Sequence, residues 1–314
     1  MTDPLPSRWL HRWSVLTVCA TFILLGLGSV VTNTKAGMAD PDWPTKPTAL
    51  FHFTPEQWHN PRLVIEHSHR AAGYVVGCCA IVLAGWLWLA ERRRWVCWLG
   101  TAALLGVCIQ GLFGGLRVTE DVRWGLEFRI VHGSFAPVVF SLLAAVAVVT
   151  SRSWSTPLVS ADPARLRRGA LHVLLAVYAQ VVLGAWLRHT YNPLAQRAHL
   201  LVAFVAALGV VLLVRLAWTS GDRPLRTGAV VLAALLGLQV LLGVETWMAQ
   251  FSHYRLPETL EPTAHRVAIR TAHVLGGALL LSATVAVNVL TRRPQAVAAA
   301  EPAESEHSFA ETAV

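Results

Sequence analysis

Eight apolar stretches, each long enough to cross a lipid bilayer, decide most of what this chain of 314 residues can become. They run at about 13–33, 63–90, 95–116, 128–150, 166–187, 195–219, 226–248 and 267–291. A helix rises about 1.5 Å per residue, so roughly 20 residues cover the hydrocarbon. Lipid offers no hydrogen-bond partner, so each stretch must satisfy its own backbone as a helix. Short connectors with Pro, Gly, Asp or Arg separate the stretches. Only 14% of residues are charged and 54% are hydrophobic, which excludes an ordinary soluble domain. The expected fold class is an all-α polytopic membrane protein, with eight transmembrane helices as two tandem four-helix bundles.

The first stretch follows Arg8 and Arg12, lacks a clear A-x-A site and precedes seven more spans. It reads as the first transmembrane helix and not as a cleaved signal. With the N-terminus inside, 14 cations face the cytoplasm against 12 on the other side, and most acids fall on the outer face. The bias predicts a multi-pass protein of a bacterial cell membrane with both termini cytoplasmic. The net charge of +8 is then a matter of topology, and nothing points to nucleic acid. Cys19, Cys78, Cys79, Cys97 and Cys108 all fall within spans and read as small apolar residues. No C-x-x-C-H site exists for covalent heme attachment.

Four of the spans carry a histidine near their start: His69, His132, His199 and His273. Each has an arginine within three residues: Arg70, Arg129, Arg197 and Arg270. A polar ring inside a membrane is costly and marks a task. All four lie on even-numbered helices, about 8–10 Å below the outer boundary by the rise per residue. Four histidines at one depth, each beside a cation, read as axial ligands of two porphyrin irons, with the arginines as propionate-binding candidates. The simpler reading is interhelical hydrogen bonding for the histidines and snorkelling for the arginines.

The chain also repeats itself. Gln110-Gly-Leu-Phe-Gly114, Gln180-Val-Val-Leu-Gly184 and Gln239-Val-Leu-Leu-Gly243 share a pattern, and the first and second continue to Arg117 and Arg188. His69 and His199 are 130 residues apart, His132 and His273 are 141 apart. Residues 13–150 and 166–291 therefore read as tandem four-helix repeats, pairing His69 with His132 and His199 with His273. An Ala/Glu-rich tail, 295–314, reads as disordered.

The copies differ where chemistry would show. Glu66 stands three residues before His69 on the same helix face, and Gln196 takes that place before His199. A carboxylate beside one pair and an amide beside the other imply one reactive site and one that passes electrons. Glu66 is the catalytic candidate, and the alternative for it is an ion pair with Arg62 or Arg70. His67 lies about 160° around the helix from His69 and should face away from that site.

The segment Glu66-His-Ser-His69-Arg70, the loop Ala36-Gly-Met-Ala-Asp40-Pro-Asp42-Trp43-Pro44 and the four histidines resemble the heme A synthase family over residues 13–291. The resemblance implies oxidation of the C8 methyl of heme O to a formyl group, giving heme A for terminal oxidases. It implies substrate heme O in the first repeat, with His69, His132 and Glu66, and a heme b cofactor in the second, with His199 and His273 as iron ligands. Partners expected from it are the heme O synthase that supplies the substrate, a membrane electron donor and the bilayer, with self-association compatible with such spans. Many members carry two cysteines flanking P-D-W-P, and here Asp40 and Lys46 stand there. A salt bridge between them is the expected substitute, worth little if exposed.

A diheme b-type electron-transfer cytochrome without catalysis would share the four histidines. The Glu66–Gln196 difference and the Pro-Asp-Trp-Pro loop favour the enzyme, and four fixed ligands argue against a transporter. Residues 34–61 are expected to cap the first site through Trp43, Phe51, Phe53 and Trp58. His52 and His59 are expected at the surface and His172 far from the site. His253 and His265 fall in or beside the last outer loop, His265 within reach of a propionate.

Overall fold

The computed structural model describes residues 7–44, 54, 58–251 and 263–295. Its eight long helices are α1 (Arg8–Asn33), α2 (Pro61–Ala90), α3 (Arg94–Thr119), α4 (Asp121–Val149), α5 (Pro163–Thr190), α6 (Pro193–Thr219), α7 (Arg223–Phe251) and α8 (Ala264–Leu290). All eight are long and apolar enough to cross a membrane, and no strand is present among the described residues. Most begin a few residues before the apolar stretch, because polar caps extend them. Asn60 accepts from the Leu63 amide (3.3 Å), Asp162 from Arg165 (2.9 Å) and Thr263 from Arg266 (3.3 Å). Pro61 and Pro163 follow the Asn60 and Asp162 caps, where a missing N–H costs nothing. α4 is two helices joined at Trp124 (φ −132°), so its first turn is set apart from the span.

Each repeat closes into a ring. α1 packs on α2, α2 on α3, α3 on α4 and α4 back on α1; α5 to α8 do the same. The rings meet through α4 against α8, with α1 on α8 and α5 on α4. That contact pattern is what a two-fold axis between the copies would produce. Ser141 and Ser282, 141 residues apart like His132 and His273, share a 2.9 Å hydrogen bond between α4 and α8. A residue meeting its own counterpart marks such an axis.

The apolar core of each ring occupies the end nearer the termini. Leu10, Leu83, Leu87, Val96, Leu143 and Val146 fill the first ring, and Val173, Val210, Leu213, Leu225, Leu232 and Leu281 are among those filling the second. Neither cluster reaches the histidines. At the same end, fully buried Arg293 pairs with Asp222 (2.6 Å) and donates to the Ser153 and Thr156 carbonyls (3.2 and 3.1 Å). Arg293 thus welds the inter-repeat linker to the second ring. Of the predicted tail, Gln295 is ordered beside Leu158, whose amide donates to the Pro294 carbonyl (2.7 Å), and the rest lies outside the described residues.

Candidate functional site

The four histidines are placed by one device used four times. Each ring rests on a glycine of a neighbouring odd-numbered helix. A Cβ added to Gly28 would lie 2.8 Å from His69 Cε1, and one on Gly114 3.2 Å from His132 Cε1. In the second ring of helices the values are 3.1 Å for Gly184 and His199, and 3.2 Å for Gly243 and His273. A side chain at Gly28 would force His69 to shift, and at the other three the imidazole would have to give by a few tenths of an ångström. One turn earlier on each glycine's helix, the main-chain carbonyl of Leu24, Gln110, Gln180 or Gln239 faces the same imidazole. At His69, His199 and His273 the contact is too long or bent to be a hydrogen bond, and Nδ1 is buried without a partner. At His132 the Gln110 side-chain amide nitrogen reaches Nδ1 (3.1 Å) and donates to the main-chain carbonyl of His132 (3.0 Å). At His132 this contact on Nδ1 leaves Nε2 for another partner, whereas at His273 the Gln239 amide nitrogen stands 3.5 Å from Nε2 itself.

These residues fit a porphyrin iron. The His199 and His273 ring centroids are 6.4 Å apart with planes at 78°. Two metal–nitrogen bonds of about 2 Å each, plus the ring radii, span on the order of 6 Å. No cluster of three or more His, Cys, Asp or Glu exists among the described residues to hold a bare metal ion. A histidine pair alone suits a metal whose other ligands come from a macrocycle. Small residues follow each histidine by one turn: Gly73, Ala136, Ala203 and Gly277. Side chains four apart on a helix share a face, so these positions leave room for a flat ring. His69 and His132 lie within electrostatic reach of each other.

The first pair is covered by the loop after α1. Buried Glu66 accepts from the Ala39 and Asp40 amides with Oε2 (2.7 and 2.9 Å) and pairs through Oε1 with Arg70 Nη2 (2.7 Å). Arg70 also donates to the carbonyls of Asp40 (2.7 Å) and Asp42 (2.6 Å) and pairs with the Asp40 carboxylate (3.3 Å). His67, turned from His69 as expected, meets Asp40 Oδ2 at 2.8 Å. Partial burial alone would raise the Asp40 pKa, but His67, the Asp42 amide and Arg70 outweigh it and hold the carboxyl below its ordinary 3.8. Asp40 therefore finds its partners on α2, and Lys46 lies outside the described residues. The Trp43 indole lies on Gly115 of α3, where any Cβ would collide with it. The cap expected over residues 34–61 is thus present through Trp43, while Phe51 and Phe53 lie outside the described residues and Trp58 is exposed.

The four arginines near the histidines have separate fates. Arg70 is committed to the loop. Arg129 donates Nε to the Gly125 carbonyl (2.9 Å), and Arg197 is exposed. Arg270 keeps Nε and Nη2 buried with no acceptor. Gln196 is half-buried at the start of α6. His59 and His172 are exposed, and His52 and His253 lie outside the described residues. His265 is exposed and contacts Glu245 (3.5 Å). Sequence reading missed the four glycines' role, the small residues one turn past each histidine, and His189. His189, on α5, places Nε2 3.6 Å from a Cβ at Gly133 and interacts with Arg117, Arg129 and His132. The glycine signal was visible in the Gln-x-x-x-Gly repeats but was read there only as evidence of duplication.

Fold and site together define a polytopic membrane protein of two tandem four-helix rings, each presenting a pair of interior histidines. The family model for COX15-CtaA, described as cytochrome oxidase assembly protein, matches residues 11–198. The chain belongs to that family. It is similar to the heme A synthase of Shouchella clausii, 28% identical over 77% of this chain and 78% of that protein. It is similar also to the heme A synthases of Geobacillus kaustophilus (30% identical, 59% of this chain, 58% of that protein) and Lysinibacillus sphaericus (32%, 60% and 61%). The chain thus spans about three-fifths of the length of the latter two.

Proposed function

We propose that this protein is a heme A synthase: it oxidises the C8 methyl of heme O to a formyl group, and the heme A product serves terminal oxidases. Substrate heme O sits in the first ring between His69 and His132, and heme b in the second between His199 and His273. The observation that carries the division is the covered first pair. Glu66, Arg70, Asp40 and His67 clamp one loop over His69, whereas the turn from α5 to α6 has only Tyr191 and Asn192.

Heme b, when bound, supplies a redox-active iron that relays electrons. The chain does the rest. Gly28 and Gly114 fix how far His69 and His132 reach inward, and the small residues beyond them leave room for the macrocycle. The loop carrying Trp43 excludes water from the substrate, which strengthens every charge interaction beneath it. Glu66 stands three residues before His69 on α2, and with both oxygens engaged it acts as the positioning residue that keeps loop and Arg70 in register. The cation bias supports cytoplasmic termini, and on that reading the covered site opens toward the outer leaflet, with heme O received from its synthase and electrons from a membrane donor.

Pigment extraction tests this reading. Protein expressed with heme O available should yield heme A beside heme b. His199→Ala and His273→Ala should each lose heme b while the chain remains in the membrane. Heme b as the sole pigment of the unaltered protein would assign a diheme electron-transfer cytochrome instead.

A further inference from the structure

The seam between the two rings carries buried positive charge that no described carboxylate balances. Arg188, in the last turn of α5, crosses to α1. Its Nη2 donates to the Ser29 carbonyl (3.1 Å), Ser29 Oγ (3.2 Å) and Asn33 Oδ1 (3.0 Å). All three acceptors are neutral, and Arg188 Nε is buried with none. Asn33 in turn donates to Thr271 of α8 (3.0 Å), the residue after Arg270. Arg270 contributes two more buried nitrogens without acceptors, Nε and Nη2. Arg188 is within electrostatic reach of both Arg270 and Arg117. Among the described residues neither Arg188 nor Arg270 forms an ion pair.

A guanidinium stays protonated in proteins. Bringing several together away from water adds mutual repulsion to desolvation, and partial hydrogen bonding to neutral groups does not offset both. Such an arrangement calls for an anion. Its position says which kind. Arg188 lies one turn beyond Gly184, the glycine beneath His199, and Arg270 lies three residues before His273. Arg117 lies three residues beyond Gly114, the glycine beneath His132, and a Cβ on Gly37 of the covering loop would collide with its guanidinium. The cations therefore stand on the loop side of the histidines, where the rings touch. Arg270 has a counterpart in Arg129, but Arg188 and Arg117 are not duplicated. Counted from Gly28, the first repeat has Thr32 in place of Arg188, and counted from Gly243, the second has Thr246 in place of Arg117. Each repeat contributes a cation the other lacks.

We propose that Arg188 and Arg270, completed by Arg117, form one carboxylate-binding seam shared by both rings, and that its ligands are the propionates of the porphyrins held by the histidine pairs. This rests on the porphyrin reading of those pairs. Planar guanidinium forks match carboxylates in two-bond geometry, and ligand carboxylates would supply the missing acceptors. The seam then orients both porphyrins with their propionates toward the covering loop, from side chains that neither repeat supplies alone.

The test uses the full-length protein in detergent, loaded with iron protoporphyrin IX or with its dimethyl ester, in which the propionates carry no charge. Release into excess apomyoglobin is timed. Wild type should hold the free acid about 10- to 100-fold longer than the ester, the range expected for charge-assisted hydrogen bonds. Arg188→Gln and Arg270→Gln should shrink that ratio, Arg188→Lys less so, with ester release changed little. Arg215→Gln, on the opposite face, should keep the full ratio. Equal retention of acid and ester by wild type overturns the proposal, whatever the variants do. A lipid phosphate as the true anion would show as copurifying acidic phospholipid lost in Arg188→Gln with the acid-to-ester ratio intact, which also overturns it. Wild type that retains neither porphyrin would instead defeat the heme reading itself.

Discussion

The two rings share their scaffold and differ in their cover. In each, two histidines press on two glycines, a small residue follows each histidine by one turn, and the apolar core is kept to the other end. In the first ring, residues 34–60 separate α1 from α2, and within that segment residues 39–43 contact α2 and α3. In the second, the left-handed Tyr191 (φ 50°) and the cap Asn192 reverse the chain in two residues. Duplication preserved what holds a ring in place, and the copies diverged in what encloses it.

The strongest way to break this comparison is to exchange the residues that differ. Glu66→Gln removes the charge that holds Arg70 and leaves one acceptor oxygen, which can serve the two loop amides or Arg70 but not both sides. Heme A formation should fall on the order of 10²-fold or more, the range seen for essential acid–base and positioning groups. Gln196→Glu in the second ring should change it little, since no described loop depends on that position. Heme content by pyridine hemochrome separates the effect from simple loss of ligand. Full activity of Glu66→Gln would leave the carboxylate a structural ion pair and remove the chemical distinction between the rings.

A smaller effect sharpens the part that is shared. Gly28→Ala and Gly184→Ala each place a methyl against a ligand ring, at 2.8 and 3.1 Å respectively. Overpacking of this kind costs about 1–3 kcal/mol. Both variants should loosen their own porphyrin, Gly28→Ala more than Gly184→Ala, and each should shift only the spectrum of its own ring. Identical spectra in both variants and wild type would mean that the glycines serve helix packing alone.

The smallest effect concerns acid. Asp40 titrates below 3.8 when the loop is docked. A lowered carboxyl contributes fully above its unfolded pKa and loses that contribution as pH falls through the folded value. Loop docking, read by protease cleavage within residues 36–44, should therefore hold steady from neutral pH to about 5 and weaken only below about 4. Asp40→Asn should be partly loosened at every pH and lose the acid step. An acid step that persists in Asp40→Asn would place the titrating group elsewhere.

Much of the architecture was legible because the bilayer imposes simple rules. Span length follows from hydrocarbon thickness, and an intramembrane histidine stands out because polarity is expensive there. Helix ends were less legible: the caps at Asn60, Asp162 and Thr263 lengthen helices past their apolar stretches for local polar reasons that hydropathy does not register. The ion pair of Glu66 with Arg70 was among the readings available from their spacing on one helix. Its partners Ala39 and Asp40, more than twenty residues away, were not.

What the sequence determined by itself was therefore periodic: eight helices, a duplication, four histidines at one depth, and a difference between Glu66 and Gln196. Tertiary structure decided which groups at that depth meet. It paired Asp40 with His67 and Arg70 rather than with a neighbour in the loop, buried Arg293 against Asp222, and drew Arg188 and Arg270 to one seam. Helical spacing carries the first kind of information along the chain. The second kind depends on how two rings close around a common axis, and that geometry exists only once the helices have packed.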